Sequence, residues 1–279
     1  MWRVRVRHRT GFSYEGNVLT SFNEARMTPL TDVTQTTLES RVEITPAASA
    51  YRYRDYWGTQ VTSFDIQLPH HELVVTATSV VETGLRHGVS GGLSWAELGK
   101  ESVRDSYAEW LAFTPRTQPD EELSDLATRS AADLPPGEAA IACVDAVNEA
   151  MEYRLGATGV HTSGIQAWQE RKGVCQDFAH VSLAMLRSLG LPSRYVSGYL
   201  HPKASAELGE TVAGESHAWV EWWDGEWMGY DPTNGKPVGD QHVAVARGRD
   251  YDDVSPLKGV YSGPPSSGLG VVVELTRLA

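Results

Sequence analysis

One segment constrains the fold more than any other: "GVCQDFAHVSLAMLRSLGLP", residues 173–192. Phe178, Val181, Met185 and Leu189 recur at helical spacing, and Leu183 and Leu186 widen that stripe until the helix is apolar nearly all round. Such a helix is buried on most sides, so the remaining chain has to be built around it. Gly190 suits a C-terminal cap, and Pro192 just beyond prevents continuation. At the other end Gly173 allows a sharp entry, and Cys175 falls in the first turn. Unpaired N–H groups and the helix dipole there favour negative charge, which promotes the thiolate, the nucleophilic form of cysteine. The same N–H groups can hold the oxyanion of a tetrahedral intermediate.

A nucleophile needs a base, and the base needs an orienting group. "ESHAWVEWWDGEWMGYDPTNG" supplies His217 and Asp231 on two runs joined by a turn around Asp224-Gly225. A two-residue Asp-Gly loop would pair Trp223 with Glu226 and send Asp231 to the face opposite His217. A three-residue loop, Trp223-Asp224-Gly225 with Gly225 left-handed, would pair Trp222 with Glu226 and set His217 directly across from Asp231. Catalytic use of the pair predicts the second register. Taken singly, a histidine in a Trp-rich strand is a packed residue and an Asp before Pro a turn former. Their coincidence with a thiol at a helix start points to acyl-transfer chemistry. Trp219, Trp222, Trp223 and Trp227 either line an acceptor groove or fill the core, core filling being favoured.

The flanking segments set the fold class. In "WRVRVRHR", Trp2, Val4, Val6 and His8 alternate with arginines, as in a strand with one wet face, which accounts for the basic run without a phosphate ligand. Further strands are predicted over Thr36–Ile44, Val61–Gln67 and Glu72–Glu82, giving an antiparallel sandwich-like or barrel-like module over about residues 1–85. Residues 83–100 read as a Gly/Ser-rich connection. Helices follow in "SVRDSYAEWLAF", "DEELSDLATRSAADL" and "PGEAAIACVDAVNEAMEYR", the last starting at Pro136 and burying Cys143 as an inert thiol. Strands return after Pro192 and run to the end. Helices followed by strands without regular alternation imply an α+β fold rather than a doubly wound sheet. The expected division is residues 1–85, a connection with a helix over 86–120, and a core over 121–279.

With 41% hydrophobic and 22% charged residues the 279-residue chain has a globular composition. A net charge of −12 argues against nucleic acid and anionic membranes as partners. No run of about 18 apolar residues is present and the N-terminus lacks a secretory h-region. Two cysteines make no disulfide framework, so a reducing cytoplasm is expected.

"GVCQDFAHVSLAMLRSLGLPSRYVSGYL", followed by "HAWVEWW…GYDPTNG", resembles the core of the bacterial transglutaminase-like superfamily of cysteine acyl-transfer enzymes and proteases. "HVAVARGRDYDDVSP" is similar to a segment of one prokaryotic branch. "SFNEARMTP", "DYWGTQVTSFDI" and "PHHELVVTATSVVE" resemble the β-rich domain that precedes the core there. The resemblance implies a papain-like α+β core, with the cysteine helix packed on an antiparallel sheet, behind a β-sandwich-like domain. It places the nucleophile on Cys175, the base on His217 and the orienting carboxylate on Asp231. Gln169 has the spacing of an oxyanion glutamine, with Trp168 beside it, although either could simply pack on "GIQAWQER". His180 is expected to support the site, and Asp177 to complement the helix dipole or meet substrate. Asp250, Asp252 and Asp253 lack the glycine and terminal glutamate of an EF-hand loop, so no metal is expected, nor any cofactor. The implied substrate is a peptide or protein amide. Peptidase or amidase action is the leading expectation, with true transglutaminase activity or a non-catalytic binding role as alternatives.

Overall fold

The computed structural model describes residues 1–84 and 92–279. The expected boundary at residues 85–86 lies outside the described residues. Six strands open the chain: β1 (Trp2–Val18), β2 (Thr20–Ala25), β3 (Gln35–Thr45), β4 (Ala50–Arg54), β5 (Gln60–Ile66) and β6 (His70–Thr83). β1 buries Trp2, Val4, Val6 and His8 while its arginines face solvent, where Arg7 pairs with Glu274 at 2.8 Å and Arg3 with Glu82. The basic run is therefore a solvated face laced with cross-strand ion pairs, each worth little on its own.

Helices come next: α1 (Trp95–Leu98), α2 (Glu101–Ser106), α3 (Ala108–Leu111), α4 (Glu121–Ser130) and α5 (Pro136–Ala150). The single helix expected over "SVRDSYAEWLAF" is broken at Tyr107, whose φ of −117° leaves the helical region. Then follow β7 (Glu152–Tyr153), α6 (Gly164–Glu170), β8 (Lys172–Gly173) and α7 (Cys175–Ser188). β9 (Ser193–Leu200), β10 (Thr211–Trp223), β11 (Trp227–Asp231), β12 (Lys236–Pro237) and β13 (His242–Gly248) lead through α8 (Tyr251–Val254) to β14 (Leu257–Ser262) and β15 (Ser266–Arg277). None of the described helices is long and apolar enough to cross a membrane.

α7 lies between α4, α5 and α6 on one side and β9 and β10 on the other. Every residue from Gln176 to Arg187 is buried, which is what its all-round apolar sequence demands. It ends in a Schellman motif: Gly190 at φ +78° donates to Arg187 O, and Leu191 donates to Leu186 O. The cysteine is thus the first residue of a fully sequestered rod.

The strands form two large sheets. One runs β12-β11-β10-β15-β1-β6-β3, with β9 joining β10 and β13 joining β9. The other is β14-β2-β5-β4. Tyr14, Val18, Met27, Phe64, Ile66, Leu73 and Val75 fill the space between the N-terminal halves of the two, the core of a sandwich. The expected extent of the core, 121–279, needs correction here. β14 pairs with β2, and β15 pairs with β1, so the last two strands complete the N-terminal sandwich. β15 also pairs with the start of β10, which fuses sandwich and core into one continuous sheet. Sequence order conceals this because strand partners are chosen by exposed edges, not by proximity along the chain.

Candidate active site

Three elements bring the site together. β8 leads into α7 with Gly173, whose φ is not in the left-handed region; the glycine is required for space instead. A Cβ there would sit 2.6 Å from Asp177 Cβ and 2.7 Å from its Oδ2. That closeness lets Asp177 reach back and accept the Val174 N–H at 2.8 Å, with Thr158 Oγ1 donating to the same oxygen at 2.5 Å. Asp177 is wholly buried, so it acts on the helix start and not on substrate. Burial pushes its carboxyl above the usual range, against these two hydrogen bonds. Val174 O takes the N–H groups of Asp177 and Phe178, and those of Cys175 and Gln176 are left at the helix mouth, where no intrahelical carbonyl can reach them. The half-exposed Cys175 sulfur lies 4.0 Å from Ser216 O on β10.

β10 carries His217, facing Gly198 of β9, and β11 ends at Asp231. The register predicted from catalysis is wrong by one loop position. Trp223 pairs with Trp227, so the loop is Asp224-Gly225-Glu226, with Gly225 at φ +87°. Continuing the ladder puts Asp231 across from Trp219 instead of His217. Because this shift is an even number of residues, the two side chains still share a face, as diagonal neighbours. His217 Nε2 meets Asp231 Oδ2 at 2.8 Å, and the Cys175 sulfur, set against Ser216 O one residue along the same strand, is near enough to act on the ring electrostatically.

The carboxylate is heavily solvated by protein. Asp231 Oδ1 accepts the N–H groups of Thr233 and Asn234 at 3.0 and 3.2 Å. Its Oδ2 accepts Asn234 Nδ2 at 2.7 Å, besides His217 and His242 Nε2, the latter at 3.2 Å. Burial alone would raise its pKa, but the hydrogen bonds from His217, His242 and Asn234 hold it far below the ordinary carboxylate range. Burial likewise works against a charged His217. Its hydrogen bond to Asp231 and the neighbouring Cys175 thiol, with the charges of both, outweigh that and raise it from 6.5 to about 9.

Other residues singled out from sequence are placed differently. His180 is fully buried, its Nε2 accepting the Tyr251 N–H at 3.2 Å; burial lowers it to about 3, so it is a neutral strut between α7 and α8. Trp168 is a core residue under the Arg171 guanidinium, 3.5 Å from the ring centroid. Gln169 is exposed on α6. Trp219 and Trp222 fill the core, whereas at the hairpin tip Trp223 stacks on Tyr107 and Trp227 meets Tyr107 and Trp110 edge-on. The acidic run is committed to the protein: Asp250 caps α8, Asp252 holds Arg116 at 2.8 Å and Asp253 holds Arg249 at 2.9 Å. His242 and Asn234 were not found from sequence; only the Asx-turn pattern after Asp231 hinted at the second.

A thiol at the head of a buried helix, against a sheet bearing a His–Asp pair, defines a protein of the papain-like α+β class. The chain belongs to the transglutaminase-like superfamily. Residues 124–232 match the family described as Transglutaminase-like superfamily, and residues 4–82 match the Bacterial transglutaminase-like N-terminal region. It is 49% identical over 279 residues to an uncharacterized Mycobacterium leprae protein, covering 100% of both chains. It is 31% identical over 306 residues to an uncharacterized Mycobacterium tuberculosis protein, covering 98% of this chain and 92% of that one. A Cytophaga hutchinsonii crystal structure assigned provisionally as a cysteine protease superposes with a TM-score of 0.78 at 22% identity, covering 100% of this chain and 91% of that one. At that identity the likeness concerns the fold.

Proposed function

We propose that the protein is a cysteine-dependent acyl-transfer enzyme acting on amide bonds of peptides or proteins, in the first place a peptidase or amidase. The observation that carries this reading is His217, bonded at 2.8 Å to a buried carboxylate and drawn toward its charged form by that carboxylate and by the helix-start thiol of Cys175. With Nε2–H donating to Asp231, the other ring nitrogen is free to take the thiol proton. The sulfur attacks the amide carbonyl carbon, and the oxyanion rests on N–H groups at the helix mouth. As the C–N bond breaks, the imidazolium gives its proton to the departing nitrogen, leaving a thioester and a free amine or ammonia. Water then attacks the thioester, losing its proton to His217, and the C–S bond breaks to give a carboxylic acid and the original thiol. Both cysteines are free, which suits a reducing compartment such as the cytoplasm.

The test is to incubate the protein with a peptide mixture in the presence of hydroxylamine, which intercepts a thioester as a hydroxamate. Hydroxamates are expected with the native chain and not with Cys175→Ala. Replacing hydroxylamine by a primary amine separates hydrolysis from amine transfer. No hydroxamate, together with no new termini and no released ammonia, would overturn the reading.

A further inference from the structure

His217, Asp231 and His242 present ligand-type atoms within 4.8 Å of one another, all buried. Two imidazoles therefore converge on one carboxylate, and His217 is the one on which the Cys175 thiol acts. The second ring is constrained on every side. The turn before β13 closes on itself: His242 N–H donates to Gly239 O at 3.0 Å, and Gly239 N–H points back to His242 Nδ1 at 3.2 Å. A backbone N–H can only donate, so Nδ1 has to be the unprotonated nitrogen. In the neutral ring the hydrogen then sits on Nε2, and Nε2 is the atom facing Asp231 Oδ2 at 3.2 Å. The edge of the fully buried Trp219 holds the ring plane, with centroids 5.2 Å apart at 76°. Burial also keeps His242 in its neutral form, lowering its proton affinity against the pull of Asp231.

A divalent cation fits this group poorly. Coordination would need the Nε2 lone pair of His242, moving its hydrogen to Nδ1, directly against the Gly239 N–H. Asp231 already accepts donors on both oxygens. A fixed hydrogen-bond donor is what this arrangement makes.

We infer that His242 is a positioning residue of the acyl-transfer site, locked in one tautomer by the Gly239 turn so that its Nε2–H pins Asp231 Oδ2 and takes up part of that carboxylate's charge. The inference rests on the thiol–imidazole reading above. It gives the acid two clients: His217 is oriented by Asp231, but receives only the share of negative charge that His242 and Asn234 leave. A base that must also release its proton to a leaving amine gains from such moderation, since proton transfer is fastest when the group is not too basic. The charged and titratable groups bearing on the pair are Cys175 from α7, Asp231 from β11, Lys236 from β12 and His242 itself from β13.

The experiment compares His242→Leu, which keeps bulk without a donor, with His242→Gln, whose carboxamide nitrogen can occupy the place of Nε2 and donate. The rate of Cys175 alkylation by iodoacetamide is followed from pH 5 to 11. In the native protein it should exceed that of free cysteine at neutral pH and step upward where His217 loses its proton. H242L should move that step to higher pH by about one unit, a tenfold gain in proton affinity, because Asp231 now acts on His217 undivided. H242Q should restore the native position. A purely structural histidine would lower Tm in H242L and leave the step in place; that result, or H242Q behaving like H242L, overturns the inference while leaving the thiol–imidazole reading intact. Native Cys175 reacting no faster than free cysteine would defeat both. Nitrogen-15 spectra of the native imidazoles give a check that needs no variant: His242 has to show a protonated Nε2 and a bare Nδ1, and the opposite tautomer refutes the proposal.

Discussion

Asp231→Asn separates charge from shape at the site. In the native protein Oδ1 accepts two backbone N–H groups and Oδ2 accepts three side-chain donors. An asparagine has one oxygen, and the two fixed backbone donors of Thr233 and Asn234 will claim it. Its NH2 group then faces the two imidazoles and the Asn234 amide, all of which were donors. His217 can escape only by turning its Nε2 lone pair toward that NH2, which moves its own hydrogen to the nitrogen beside Cys175. The thiol then faces an N–H and loses its base. The energy involved is set by the rise of His217 from 6.5 to about 9, which at about 1.4 kcal/mol per pH unit is about 3 kcal/mol. Cys175 supplies part of it, so loss of Asp231 lowers the population of the charged pair by at most the whole rise from 6.5 to about 9, a factor of roughly 300. The assay is mass-spectrometric alkylation of Cys175 at pH 7, with Cys143, buried and pushed up to about 12, as the unreactive internal reference. The expected outcome is a loss of more than roughly tenfold and up to roughly 300-fold, with little change in fold. Native-like reactivity in D231N would refute the reasoning.

Two other expectations concern stability. Because the folded His217 binds its proton more tightly than an unfolded histidine, the stability it contributes is complete below pH 6.5 and disappears as pH rises through about 9, a loss of up to about 3 kcal/mol. Melting curves from pH 6 to 10 should show that decline in the native chain and a flatter profile in His217→Gln; parallel profiles would count against the raised affinity. Gly198→Ala should destabilise by about 3 kcal/mol, since its Cβ would stand 2.2 Å from the backbone oxygen of Val243 and 2.6 Å from Trp219, neither free to yield. Denaturant midpoints within about 0.5 kcal/mol of native would show that the sheet under His217 is softer than drawn.

Much of this was legible in the chain because the strongest signals were local. The all-round apolar run 175–189 dictated a buried helix, Gly190 dictated its end, and the alternation in β1 dictated which side of a strand is wet. Cys175, His217 and Asp231 could be chosen because each sits where a boundary or period makes its residue type unusual. What was hidden depends on long-range choices. The closing of β14 and β15 onto the first strands is decided by which edges remain unpaired. The exact hairpin register escaped because Asp224-Gly225 is compatible with several loops, although the need for a common face left only even shifts. His242 escaped because its role is set by a backbone N–H three residues away and a carboxylate on another strand. Gly173 was read as a conformational device, whereas its missing Cβ makes room for Asp177.

The most direct measurement uses a peptidyl acyloxymethyl ketone, an electrophile attacked as an amide carbonyl would be, followed by digestion and mass analysis of the peptide spanning residues 173–187. A single adduct on Cys175, formed rapidly in the native chain and abolished in His217→Ala with the fold preserved, is the expected result. Labelling that is indifferent to His217, or that falls on other residues while Cys175 stays unmodified, would contradict a nucleophile at this helix mouth.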